Sequence, residues 1–146
     1  MVRKMLKSDK ELFLKMTRSF YNSESVLFDI PEQFHLKTFN EMMKSDQYLT
    51  GYILMKDRQP AGYALTSKYY SHEAGGLTLF VDELYVLRTY RSLGLGKEFF
   101  NYLKNNLDEQ VVRLRLEVES ENTGAINLYS KEGFSFLKYK QMIMDI

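Results

Sequence analysis

The chain has no cysteine, which excludes disulfides, thiolate zinc sites and a cysteine nucleophile, and suits a reducing interior. An excess of charge is lacking too: 20 Lys and Arg stand against 19 Asp and Glu, for a net charge of +1. The basic residues are spread out, so no global field argues for nucleic acid or an anionic membrane as partner. No apolar run approaches the length of a membrane span. The opening "MVRKMLKSDKELFLKM" alternates charge with apolar residues and lacks the continuous core of a signal peptide. Repeats, low-complexity tracts and Pro/Gly/Ser-rich linkers are absent, so no internal boundary is placed. The two histidines, His35 and His72, have no ligand-spaced partners, and neither a metal centre nor a triad is expected. What is left is a cytoplasmic protein whose residues 1–146 form one domain, long enough to bury a proper core.

Hydrophobic periodicity then divides the chain. Val2 to Met5 reads as a short strand. Ser8, with Glu11 three residues on, reads as a capping box before "DKELFLKMTRSFY", where Leu12, Met16 and Phe20 follow at helical spacing. Pro31 opens a second helix, "PEQFHLKTFNEMMK". "YLTGYILMK", "AGYALTSKYY" and "LTLFVDELYV" read as three strands joined by short turns, which implies antiparallel pairing. Leu95, Phe99 and Leu103 line one face of a third helix. "VRLRLEVE" alternates with a period of two, "TGAINLYSKE" is a short helix ending at Gly133, and "FSFLKY" and "QMIMDI" supply final extended segments. The later strand-helix-strand steps imply parallel crossovers, so the class is α/β with a mixed sheet.

Between the third strand and the third helix lies "RTYRSLGLGKEFF". A strand that enters a helix through glycines exposes unpaired N–H groups at the positive end of the helix dipole. Arg91, Ser92, Leu93, Gly94, Leu95, Gly96 and Lys97 therefore form either a phosphate seat or a plain connection. Two nucleotide fingerprints fail here. A Rossmann turn needs glycine or alanine where Phe99 stands, and a Walker loop needs Ser or Thr where Glu98 stands.

Arg91-Ser92-Leu93-Gly94-Leu95-Gly96 resembles the R/Q-x-x-G-x-G/A signature of the GCN5-related N-acetyltransferase (GNAT) superfamily, with serine at a position where glycine is commoner. The block "LRLEVESENTGAINLYSKEGF" is similar to the second half of that family's site, and the detailed likeness covers residues 77–136. The resemblance implies a GNAT-like fold: a central, mixed, mostly antiparallel sheet flanked by helices, in the order β-α-α-β-β-β-α-β-α-β, with or without one more strand. It implies acetyl-CoA as co-substrate. The pyrophosphate would lie on the amides of residues 91–97, and the pantetheine arm would pair with the main chain of Leu84, Tyr85 and Val86. Arg91 and Lys97 either add charge there or are solvated surface residues. Asn122 either caps the helix that follows it or contacts the pantetheine.

Acetyl transfer to an amine has one main obstacle, since a lysine-like amine with pKa ~10.4 is less than about 0.1% neutral at pH 7. A base must remove a proton, and the site must hold thioester and amine together. Asp82 and Glu83 are adjacent carboxylates in an apolar strand, and simple alternation sends them to opposite faces. The resemblance to polyamine-type members favours one of them as base or amine-orienting group; Glu83 is placed ahead of Asp82. Tyr129 stands where the family has the tyrosine that protonates the departing sulfur. "SFYNSESVLFDIPEQF" reads either as acceptor recognition or as a staple between the first two helices. The expected activity is transfer of an acetyl group to a primary amine of a small molecule such as a polyamine or amino acid. The alternatives are a non-catalytic CoA-binding module and a protein or peptide N-acetyltransferase. A homodimer is compatible with the family.

Overall fold

The computed structural model describes residues 1–23 and 26–146. Strand β1 (Val2–Lys4) leads through a short 3-10 turn into α1 (Lys10–Tyr21) and then α2 (Glu32–Lys44). Three longer strands follow, β2 (Leu49–Lys56), β3 (Gln59–Ser71) and β4 (Gly76–Val86). Helix α3 (Leu95–Asn106), β5 (Val111–Leu116) and α4 (Thr123–Lys131) complete the order. The sheet runs β1-β2-β3-β4-β5. Its first three pairings are antiparallel and β4 pairs with β5 in parallel, as the α3 crossover requires.

Alternation along the strands feeds two apolar layers. Ile53, Tyr63 and Tyr85 join Phe13, Phe20 and Phe39 under α1 and α2. Leu54, Ala64 and Val81 join Leu95, Phe99 and Phe100 under α3, with Leu128 and Tyr129 of α4 at its margin. No helix among the described residues is long and apolar enough to cross a membrane.

Three local expectations differ from the structure. Ser8 is not a cap; it sits inside the 3-10 turn, and α1 begins after Asp9. Asp9 is committed elsewhere, with both carboxylate oxygens on the Arg3 guanidinium and Oδ2 also accepting from the Leu6 amide. Pro31 is the residue before the helix rather than its first residue. Residues 134–146 form no strand. Phe134 folds back onto Phe100, with ring centroids 5.3 Å apart, and the chain beyond leaves Phe136, Met142 and Ile143 exposed. Extended propensity makes a strand only where an edge is paired, and here the tail does not engage β5.

Candidate active site

Strands β4 and β5 pair from Leu77 opposite Val111 as far as Val81 opposite Leu116. There β5 ends, while β4 continues to Val86. The sheet therefore splays, leaving the last five residues of β4 without a strand on that side among the described residues. A cleft of about 660 Å³ opens at the splay. Asp82, Glu83 and Leu84 form one wall, and Glu117, Val118, Glu119, Asn122 and Tyr129 form the facing one. Tyr21, Val26, Leu27, Phe28 and Ile30 close a third side. That third side comes from the aromatic stretch anticipated at the acceptor; its Glu24 and Ser25 lie outside the described residues. A larger hollow of about 810 Å³ runs along β5 and the tail, and it includes Tyr129 but neither Asp82 nor Glu83.

A bulge decides where the two carboxylates go. Leu65 opposes Glu83 and Thr66 opposes Val81, so Asp82 is an extra residue with no partner across the β3–β4 ladder. An inserted residue reverses the phase of the side chains beyond it. Val81 accordingly packs in the α3 layer, whereas Glu83 turns into the α1 layer. There Tyr63 Oη donates to Glu83 Oε2 at 2.6 Å and Tyr21 Oη donates to Oε1 at 2.7 Å. Burial pushes the Glu83 carboxyl up, the two phenols pull it down, and the Asp82 charge adds an upward push. Asp82 stays on the exposed bulge at the cleft mouth. Partial desolvation raises its carboxyl, a Ser67 hydrogen bond opposes that, and Glu117 across the gap reinforces it.

Tyr129 projects from α4, its ring edge-on to Phe100 with centroids 5.8 Å apart, and burial raises its phenol. It is therefore a firmly protonated donor on the wall facing β4. Asn122 resolves toward capping, because its Oδ1 accepts from the Ala125 amide at 3.2 Å. Asn122 still borders the cleft.

The glycine turn is built from left-handed backbone. Ser92 has φ +62° and Gly94 φ +82°, which gives the conformational reason for a glycine preference at position 92. Gly94 precedes α3 directly, and a Cβ there would meet nothing within 4 Å, so the helix N-terminus opens onto free space. Gly96 is different, for Leu128 of α4 fills the place of its missing side chain. The Leu95 side chain is buried in the core, Leu93 is half exposed, and Ser92 and Lys97 are exposed. Arg91 turns back, its Nε donating to the Val86 carbonyl at 3.1 Å. Tyr85 is buried under α1, so only its main chain is available at the splay. Nothing in the sequence ties Tyr21, inside the aromatic stretch, or Tyr63 to Glu83. Tyr63 carries no local signal, since its contact with Glu83 exists only through strand pairing.

A model of the acetyltransferase (GNAT) family matches residues 13–134. The chain belongs to this family and is an acyltransferase of its type. No curated protein sequence matches it significantly. Among solved structures it resembles one described as "a possible acetyltransferase" from Clostridium difficile 630, with TM-score 0.84 and 20% identity over 100% of this chain and 97% of the other. It also resembles AAC(6')-Iy in complex with the bisubstrate analogue CoA-S-monomethyl-acetylneamine, with TM-score 0.82 and 19% identity over 100% and 97% of the two chains. A third is a ribosomal-protein-alanine N-acetyltransferase from Brucella melitensis biovar Abortus 2308, with TM-score 0.75 and 16% identity over 100% and 99%.

Proposed function

We propose that residues 1–146 act as one N-acetyltransferase domain, moving an acetyl group from acetyl-CoA directly to a primary amine of a small, cationic molecule. The observation that carries this reading is the placing of Glu83 at the splay, in a cleft whose charged lining residues, among those described, are Asp82, Glu83, Glu117 and Glu119. Every one of them is acidic, which suits an ammonium-bearing acceptor and disfavours an anionic one.

The residues present fit the co-substrate. Open space at Gly94, left-handed backbone at Ser92 and Gly94, and the first amides of α3 form a cradle for a pyrophosphate. The main chain of Leu84, Tyr85 and Val86 would hold the pantetheine arm. Asn122, with Oδ1 in its cap, would have its side-chain amide left to contact that arm. When bound, acetyl-CoA supplies an acyl group already activated as a thioester. The protein's work is then to orient the acceptor ammonium and take its proton, which Glu83 does from within the cleft. Asp82 and Glu117 at the mouth draw the cation in. Tyr129 donates a hydrogen bond to the departing sulfur. The departing thiolate, whose thiol has a pKa of ~8.5, is a weaker base than a phenolate, so donation rather than complete proton transfer is the main contribution of Tyr129.

The test is thiol release from acetyl-CoA across polyamines, amino acids, aminoglycosides and peptide N-termini. Release with cationic small amines and not with peptides is expected. Saturable acetyl-CoA binding with no release across the panel would remove the enzyme reading.

A further inference from the structure

The two phenols that hold Glu83 are anchored in different ways. Tyr63 is fully buried on the central strand β3, edge-on to Phe13 and Phe20 with centroids 5.4 and 6.3 Å away. Its hydroxyl is fixed by the core. Tyr21 is the last residue of α1, edge-on to Phe20 and to His35 of α2, and it lines the cleft itself. The chain after it supplies Leu27 and Phe28, which are 72% and 71% exposed and form the apolar side of the same cleft. One carboxylate oxygen of Glu83 is thus held by the rigid sheet. The other is held by a residue continuous with the wall against which an acceptor would lie.

We propose that Tyr21 is a positioning residue for Glu83: its hydroxyl fixes the orientation of the carboxylate and couples the acceptor wall to the base. This rests on the reading of Glu83 as the proton acceptor. Each carboxylate oxygen carries two acceptor sites. With Tyr63 on Oε2 and Tyr21 on Oε1, one site on each oxygen is left, and both oxygens are held in a fixed plane. A hydrogen bond to the charged form also favours ionisation, against the desolvation that opposes it. The other titratable groups around Glu83 are Tyr63 on β3, Asp82 beside it on β4, Glu117 beyond β5 and Tyr129 on α4. His35 stands behind Tyr21, with Thr17 Oγ1 3.2 Å from its Nδ1.

Tyr21→Phe keeps the ring and its contacts with Phe20 and His35 and removes only the donor. The first readout needs no acceptor: a carbon-13 NMR titration of the Glu83 carboxyl, assigned by the resonance lost in Glu83→Gln. In Tyr21→Phe the Glu83 midpoint moves upward. An unmoved midpoint would overturn the proposal. The second readout uses acetyl-CoA with spermidine, or the fastest amine of the panel. Tyr21→Phe lowers kcat about tenfold or more, as misplaced catalytic groups do, and moves the acid limb of the pH profile upward. A raised KM with unchanged kcat and acid limb would reduce Tyr21 to a wall residue and refute the coupling. In the Glu83→Gln background, adding Tyr21→Phe costs little more, whereas a full second loss would also refute it. Wild-type turnover in Glu83→Gln alone would instead overturn the assignment of the base. The carboxyl titration would then still report whether Tyr21 holds Glu83.

Discussion

A Cβ on Gly96 would lie 2.5 Å from Cδ2 of Leu128. The second glycine of the turn therefore serves the packing of α4 on α3. Leu128 is adjacent to Tyr129, so that contact also sets where the donor stands. Gly96→Ala must push the end of a flexible side chain aside, and it should cost about 1 kcal/mol. It should also lower kcat through displacement of Tyr129. Adding Leu128→Ala relieves the collision, so the double variant loses less stability than the two single losses combined. Strict additivity in urea denaturation would show that the contact is not felt.

Gly94 presents the opposite case, open space and a positive φ. A β-branched residue there would confuse backbone strain with occlusion, because the left-handed region costs an L-residue about 1–2 kcal/mol. Asn tolerates that region far better, so Gly94→Asn adds bulk with little strain. Its stability should stay near that of the wild type while acetyl-CoA affinity falls about tenfold to a hundredfold. That range corresponds to the loss of one charge-assisted hydrogen bond or a little more. Unchanged affinity by calorimetry would end the pyrophosphate assignment.

Most of the fold was legible because it is written in local periods. The stripe Leu12, Met16, Phe20 became α1, and the Leu114, Leu116 alternation became β5. The glycine turn was legible as a possible anion seat, but the split between Gly94 and Gly96 was not, since Leu128 approaches from another helix. The orientation of the carboxylates was hidden for the same reason. Simple alternation would put Asp82 and Glu83 on opposite faces, but a bulge at Asp82, defined by β3, a separate strand, breaks the alternation between them. The tail misled in the other direction. "FSFLKY" has strand composition, but composition does not supply a paired edge, and Phe134 turns the chain toward Phe100.

Tyr129→Phe preserves the ring packing on Phe100 and Phe134 and deletes the donor. It should lower kcat about tenfold to a hundredfold, the worth of one hydrogen bond to a charged leaving group, with little change in acetyl-CoA dissociation constant. Because donation matters less to a better leaving group, the deficit should narrow with an acetyl thioester of a more acidic thiol. Equal rates for the two proteins with acetyl-CoA would remove Tyr129 from the chemistry.

Glu83 also carries a signature in stability. Burial holds its folded carboxyl above its ordinary value in spite of the two phenols. A carboxyl raised on folding contributes stability that is complete below the unfolded pKa, about 4.3, and lost as pH rises through the folded one. Glu83→Gln carries no such charge. The stability of the wild type relative to Glu83→Gln should therefore be flat in acid and then fall toward neutral pH, so that Glu83→Gln gains on the wild type as the carboxyl ionises. Urea denaturation of both proteins from pH 3 to pH 8, about the range in which a raised carboxyl titrates, measures the difference directly. A difference that does not vary with pH would mean that Glu83 ionises as it does in the unfolded chain. A difference that grows in favour of the wild type would mean that the Tyr21 and Tyr63 hydrogen bonds outweigh burial.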